Sequence, residues 1–157
     1  MIQIQKATAE HLDEIVLLWL KLMNLHKKID PDFFADTDDY IGEYKINLDW
    51  NLRNPLGMLF IATSDTKIVG YVTADISYFK HSSYNSSNYC TIGDIMIDEN
   101  FRHLGIGKSF IAEIKKWAKS ESTNKIILNV FSKNTKALSF FKNQGFNDNF
   151  NNLILEF

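Results

Sequence analysis

Cysteine is nearly missing from this sequence. Cys90 is its only one, which excludes an internal disulfide framework and any zinc site built on several thiolates. Proline is almost as scarce, and both prolines, Pro31 and Pro55, fall in expected connections. No apolar run approaches the roughly 20 residues that a bilayer-crossing helix needs. The opening Met1-Ile2-Gln3-Ile4-Gln5-Lys6 lacks the basic and apolar regions of a secretory signal. Neither sign of charge dominates: 17 Lys and Arg against 19 Asp and Glu leave a formal charge of −2. That balance gives no general pull toward nucleic acid or an anionic membrane, so neither is expected as a partner. Internal repeats of about 20–50 residues are also missing.

What is present is apolar and aromatic. At 45% hydrophobic and 13% aromatic residues, 157 residues can bury a substantial core. The expectation is one cytoplasmic domain over residues 1–157.

Residues 2–6 alternate as a strand, and Thr8 is placed to cap a helix. In that helix Leu12, Ile15, Val16, Trp19, Leu22 and Met23 recur on one face, and Pro31 marks its exit. A weaker helical pattern covers about residues 36–53. Strand patterns follow at Met58–Thr63, Ile68–Tyr78 and Cys90–Asp98, the last two flanking the polar stretch 82–88, which reads as a hairpin loop. Phe110, Ile111, Ile114, Trp117 and Ala118 form one stripe of a helix over 106–120. Lys125–Phe131 is β-branched and apolar and reads as a buried strand. Thr135–Asn143 makes a short helix closed by Gly145, and Asn152–Phe157 reads as a final strand. This order predicts an α/β layered domain with helices packed on a mixed sheet. Trp19, Trp117, Phe140 and Phe146 are expected in its core rather than as a base-stacking platform.

The most informative segment is Asp94-Ile-Met-Ile-Asp-Glu-Asn-Phe-Arg-His-Leu-Gly-Ile-Gly-Lys108. It runs from a strand through an Arg-x-x-Gly-x-Gly step into an amphipathic helix. Gly105 and Gly107 would let the backbone approach an anion closely, and the free N–H groups of the first helical turn would point at it. A nucleotide P-loop is excluded because the position that needs its first glycine holds Arg102. The dinucleotide pattern Gly-x-Gly-x-x-Gly fails at Phe110.

Arg-x-x-Gly-x-Gly after a strand resembles the cofactor motif of the GNAT superfamily of N-acetyltransferases. Asn134-Thr-Lys-Ala137-Leu-Ser-Phe140-Phe141-Lys-Asn-Gln-Gly145-Phe146 resembles that family's second signature, Asn-x-x-Ala-x-x-aromatic-Tyr-x-x-x-Gly-Phe. The two motifs stand in the family's order. The resemblance implies a single-domain GNAT-like fold: a central mixed, mostly antiparallel sheet with helices on both faces. It implies an acyltransferase that moves acetyl from acetyl-CoA to a primary amine, without a metal. Ile95, Met96 and Ile97 would lie along the pantetheine arm, with the Ile97 amide, or a neighbour at a strand bulge, facing the thioester oxygen. Arg102, His103, Leu104, Gly105, Ile106, Gly107 and Lys108 would wrap the diphosphate, and Asn134 would reach the cofactor from the opposite side. Lys136 and Lys142 would be partners for the 3′-phosphate. A homodimer through the C-terminal strand is a further expectation.

The charge pattern agrees. Residues 102–142 hold nine Lys or Arg against Glu113 and Glu121, and residues 30–43 hold six acids and no base. A basic half suits a polyanionic cosubstrate, and an acidic entrance favours a small cationic amine such as a polyamine or aminoglycoside; a peptide or protein amine is the other choice. The bland reading is two solvated faces.

Acetyl transfer needs a neutral amine, a stabilised oxyanion and a departing thiolate. Asp94 is the candidate general base, and its other reading is a strand carboxylate satisfied by backbone or solvent. His26 and Asp30 lie where the fold would build an acceptor wall; His26 is otherwise a helix-terminal histidine facing the dipole. His11, His81 and His103 show no metal-ligand spacing, and Cys90 reads as a buried small residue. The family's tyrosine position holds Phe141, which cannot donate a proton. Ser132, Ser139, Tyr78, Tyr84 or a water would have to supply one. A non-catalytic CoA-binding or regulatory module of the same fold is therefore the alternative.

Overall fold

The computed structural model describes residues 1–34, 40–79, 82 and 87–155. Strand β1 (Ile2–Lys6) leads through a 3₁₀ turn (Ala9–His11) into α1 (Leu12–Ile29), followed by α2 (Tyr40–Arg53). Three strands then run in succession, β2 (Gly57–Ser64), β3 (Lys67–Phe79) and β4 (Ser87–Ile97). A second 3₁₀ turn (Glu99–Phe101) precedes α3 (Ile106–Ser120), a short β5 (Ile126–Ile127) and α4 (Thr135–Asn143). Thr8 caps the 3₁₀ turn rather than α1 itself, with its N–H donating to His11 Nδ1 at 2.9 Å.

The sheet order is β1-β2-β3-β4-β5, antiparallel except for the parallel β4–β5 pair. β2 is buried along nearly its whole length, as expected for a strand covered on both faces. Its Leu59 and Ile61 face α1 and α2, where they pack with Leu12, Ile15, Trp19 and Leu48. Its Met58, Phe60 and Ala62 face the other way, onto Phe110, Ile111, Ile114 and Trp117 of α3 and Phe141 of α4. The mixed, mostly antiparallel sheet with helices on both faces is thus the observed architecture. Trp19 and Trp117 are buried, and Phe140 and Phe146 pack against the second cluster.

Two strand expectations are corrected. The run Lys125–Phe131 pairs only at Ile126 and Ile127, opposite Cys90 and Thr91. Beyond them the chain leaves β4, and the two separate instead of continuing a ladder. The run Asn152–Phe157 is not a strand over its described part: residues 151–155 have no regular structure, and Leu153, Ile154 and Leu155 are at least 81% exposed. A strand pattern needs a partner edge, and two residues of β5 offer almost none. Glu156 and Phe157 lie outside the described residues, as do residues 35–39 at the expected start of α2 and most of the 82–88 loop. No helix among the described residues is long and apolar enough to cross a membrane.

Candidate active site

The site starts from an irregularity in β4. Val72 pairs with Ile95 and Ala74 with Ile92, so Gly93 and Asp94 both stand opposite Thr73. This β-bulge redirects one side chain and breaks the regular ladder. Thr73 holds it: its Oγ1 accepts from the Asp94 N–H at 2.8 Å. A Cβ at position 93 would lie 2.7 Å from that same oxygen, so glycine is required there.

Past the bulge, β4 presents a free edge. The Asp98 N–H donates to the Val69 carbonyl at 2.8 Å, which makes Val69 and Asp98 a hydrogen-bonded pair. Antiparallel alternation then turns the main-chain groups of Met96 toward β3 and those of Ile95 and Ile97 away from it. The Ile97 carbonyl accordingly accepts from Arg102 Nε on the outer side, at 3.1 Å. Met96 points its side chain into the core beneath α1. Of the three residues expected along a pantetheine arm, Ile95 and Ile97 therefore offer amides to the open edge and Met96 does not.

Because β5 ends at Ile127, a cavity of about 290 Å³ opens between the bulge and the departing chain. Its walls include Asp94, Ile95, Asn129, Phe131, Asn134 and Phe141. Asn134 caps α4, its Oδ1 accepting from the Ala137 N–H at 3.2 Å, which leaves the amide Nδ2 available to a ligand. His26, from the last turns of α1, also lines the cavity. Its ring packs on Phe34 and Phe131 with centroids 5.4 and 5.5 Å away, and burial lowers its pKa, favouring the neutral imidazole. Asp30 is not a free carboxylate: Lys133 Nζ lies 3.0 Å from its Oδ2. It ties the end of α1 to the loop before α4.

Asp94 is held by residues that its own segment does not announce. Its Oδ2 lies 2.8 Å from the Tyr44 hydroxyl, and the Tyr44 and Tyr71 hydroxyls are 2.9 Å apart. Tyr44 has one proton, and a carboxylate can only accept. Tyr44 therefore donates to Asp94 and accepts a hydrogen bond from the Tyr71 hydroxyl. Burial raises the Asp94 pKa, and the Tyr44 hydrogen bond works against that shift. Burial, with the nearby carboxylate, also raises the pKa of both phenols, so they stay protonated donors. The result is an oriented carboxylate of raised basicity facing a cavity, the combination a general base requires.

Downstream, the bend after Asp98 closes on itself as far as Arg102 and leaves the amides from His103 to Lys108 without an acceptor among the described residues. Asp98 is nearly fully buried; Lys21 Nζ reaches its Oδ2 at 2.6 Å and the Asn100 N–H its Oδ1 at 3.1 Å. His103 and Gly105 take positive φ, 65° and 83°. After the Arg102 N–H, which donates to the Glu99 carbonyl at 3.4 Å, the next amide to find a carbonyl is that of Ser109, donating to Gly105 at 3.0 Å. Among the described residues nothing accepts from the amides of 103–108. A Cβ at Gly105 would meet no atom within 4 Å, so the middle of this segment is uncovered by the rest of the protein on that side. Arg102, His103, Leu104 and Lys108 are exposed around it, while Ile106 is buried beneath. Free amides at a helix N-terminus with adjacent cationic side chains suit a diphosphate. Gly107 has a packing role besides the one its motif position suggests. A Cβ there would lie 2.7 Å from Phe140 Cζ, so it allows α3 to pack on α4.

Several expected contributors are elsewhere. Ser132, Ser139 and Tyr78 are exposed and do not line the cavity, and Tyr84 and His81 lie outside the described residues. Phe141 fills the wall where the second signature would carry a hydroxyl. Cys90 is fully buried, and burial pushes its thiol up to about 12, which makes it a core residue. Lys142 is engaged with Asp148 at 3.1 Å. Tyr44, Tyr71, Thr73 and Asn129 are the residues that sequence reasoning missed.

Comparison with known proteins fits this geometry. Residues 19–146 match the model of the acetyltransferase (GNAT) family. A Methanocaldococcus jannaschii protein named as an uncharacterized N-acetyltransferase is 24% identical over 92% of this chain; the chain spans 60% of that relative's length. Among solved structures, a mutant of the BH1408 protein from Bacillus halodurans superposes with TM-score 0.89 at 19% identity, covering 99% of each chain. A predicted acetyltransferase from Clostridium acetobutylicum, solved with acetyl-CoA, gives 0.76 at 19% identity over 99% of this chain and 96% of that one. The aminoglycoside 6′-N-acetyltransferase AAC(6′)-Ig of Acinetobacter haemolyticus gives 0.77 at 16% identity over 98% and 97%. At these identities the structural likeness is one of fold.

Proposed function

Because this chain belongs to the acetyltransferase (GNAT) family, we propose that it moves an acetyl group from acetyl-CoA to a primary amine, with residues 1–157 working as one catalytic domain. The observation that carries the reading is the continuity of three features. The Asp94 carboxylate, the unpaired edge of β4 and the free amides of residues 103–108 follow one another along a single stretch of chain.

Acetyl-CoA would supply an activated acyl group; the remaining chemistry falls to the protein. Residues 103–108 and Arg102 hold the diphosphate, and Asn134 approaches from the other arm of the cavity. Asp94 takes the proton of the incoming ammonium, directly or through a water, which frees the nitrogen lone pair to attack. The Ile95 amide is the oxyanion donor best supported, because Ile95 both lines the cavity and turns its N–H to the open edge. Ile97, further along, would serve the pantetheine arm. As the N–C bond forms and the C–S bond breaks, the thiolate departs and the nitrogen gives up its second proton to that sulfur or to water, leaving a neutral amide. A thiol with a pKa of about 8.5 leaves well as an anion near neutrality, so Phe141 costs less than loss of the base would.

The test is release of free CoA thiol from acetyl-CoA in the presence of primary amines. The reading expects amine-dependent release that falls about 10²–10⁴-fold in Asp94→Asn, with CoA binding retained. Phe141 favours a second reading, a CoA-binding module without catalysis. CoA binding with no thiol release on any amine would establish it instead.

A further inference from the structure

Two protons leave the nitrogen when an ammonium becomes an amide, and Asp94 can hold one of them. Among the described residues that line the reaction cavity, the other group able to exchange a proton is His26. The rest of that lining is apolar apart from Asn129 and Asn134, whose amides do not titrate, and Phe141 has no hydroxyl. His26 comes from α1, so it faces the cavity from a different element than the bulge that carries Asp94. Packing alone holds its ring: the Phe34 centroid lies 5.4 Å away with planes 27° apart, and Phe131 meets it edge-on at 5.5 Å. Neither ring nitrogen has a hydrogen-bond partner among the described residues. Half-buried polar atoms left in that state are uncommon, and phenylalanine would serve the stacking equally well. Burial lowers the His26 pKa, so near neutrality the ring keeps one bare nitrogen and one N–H. That also argues against a histidine set to offset the helix dipole, which gains only when charged.

Resting on the reading that this is an amine acetyltransferase, we infer that His26 is a second catalytic residue, taking the remaining proton from the attacking nitrogen and delivering it to the departing sulfur. The protons and electrons balance. Asp94 removes the first proton from the ammonium, and the freed nitrogen lone pair adds to the thioester carbon. The nitrogen then carries one proton too many, and that proton passes to the bare nitrogen of His26. As the C–S bond breaks, its electron pair goes to sulfur, which takes the proton back from the imidazolium. His26 ends neutral, as it began, and the proton on Asp94 returns to solvent. The products are a neutral amide and the CoA thiol. A cavity of about 290 Å³ is at the small end of those that hold ligands, so an amine and a thioester meeting inside it stay close to both walls. The proton that a tyrosine at position 141 would have given is supplied from α1 instead.

The experiment follows acetylated amine rather than thiol, because free imidazole cleaves thioesters unaided. The acceptor is the fastest of ethylamine, spermidine, kanamycin and glycylglycine, at saturating acetyl-CoA. His26→Phe keeps a ring between Phe34 and Phe131 and breaks no hydrogen bond among the described residues, so a packing role alone predicts an unchanged kcat. The inference expects kcat to fall about 10²-fold or more, with KM for acetyl-CoA and Tm little changed. His26→Ala should lose as much, and added imidazole should restore its rate in proportion to concentration while leaving the parent unaffected. A Phe variant that keeps kcat within about twofold of the parent, or an Ala variant that imidazole does not accelerate, would overturn the inference and leave the acetyltransferase reading standing. Acetylation of none of the four amines by the parent would instead bring down the reading itself, and the inference with it.

Discussion

The Tyr44 hydroxyl lies 2.8 Å from Asp94 Oδ2, joining α2 to the bulge of β4 across 50 residues of sequence. Tyr44 also stacks on Trp19, with centroids 3.9 Å apart and planes 6° from parallel. The residue that orients the base is thus itself held against a buried ring of α1.

That contact has a pH signature. Burial raises the Asp94 pKa, and the Tyr44 hydrogen bond, which stabilises the anion, lowers it. A general base works only when deprotonated, so kcat/KM should rise with pH through the Asp94 titration. Tyr44→Phe keeps the stacked ring and removes the hydrogen bond. The acidic limb should move upward in pH. An unmoved limb would show that Asp94 is not the titrating base or that Tyr44 does not touch it in solution.

Gly105 and Gly107 should fail differently. Ala at 105 meets open space but must adopt φ 83°, at a cost of about 1–2 kcal/mol. It should weaken CoA binding with a modest loss of stability. Ala at 107 drives a methyl to 2.7 Å from Phe140, an overpacking worth about 1–3 kcal/mol. It should lower Tm clearly. Thermal melts paired with CoA titrations separate the two, and identical behaviour would contradict the division of labour.

Asp98 should matter to stability in a pH-dependent way. Its pKa is lowered, first by the Lys21 hydrogen bond and further by the Asn100 amide, against an opposing contribution from burial. A depressed carboxylate stabilises the fold above its unfolded value of about 3.9, and that stabilisation is lost as pH falls through the lower folded value. Asp98→Asn should cost about 1–3 kcal/mol near pH 7, toward the lower end because Lys21 is 56% exposed. The Tm gap between parent and variant should narrow as pH falls below about 3.9 and close in stronger acid. A gap that stays constant through that fall would contradict the ion pair.

Some of this was readable from the sequence and some could not be. The helices at 106–120 and 135–143 match their predicted bounds because a 3.6-residue stripe and glycine punctuation are local signals. Gly145 closes α4 with φ 91°, as its position implied. Lys125–Phe131 misled because β-branched residues report a preference for extended backbone, whereas pairing depends on what runs alongside. Here the chain diverges from β4 and makes a cavity wall instead. The packing of Phe140 on Gly107 is not legible in the motif, because a motif position does not reveal what a neighbouring helix places against it. Tyr44 was invisible for a related reason: one tyrosine in a weakly amphipathic helix carries no local mark of the carboxylate it meets.

The most direct test is a calorimetric titration of the full chain with CoA and, separately, with pantetheine, which lacks the diphosphate and the nucleotide. If the bare amides of 103–108 grip the diphosphate, CoA should bind at least about 100-fold more tightly than pantetheine, since charge-assisted hydrogen bonds contribute about 1.5–3 kcal/mol each. Equal affinities, or no heat with CoA at all, would contradict it.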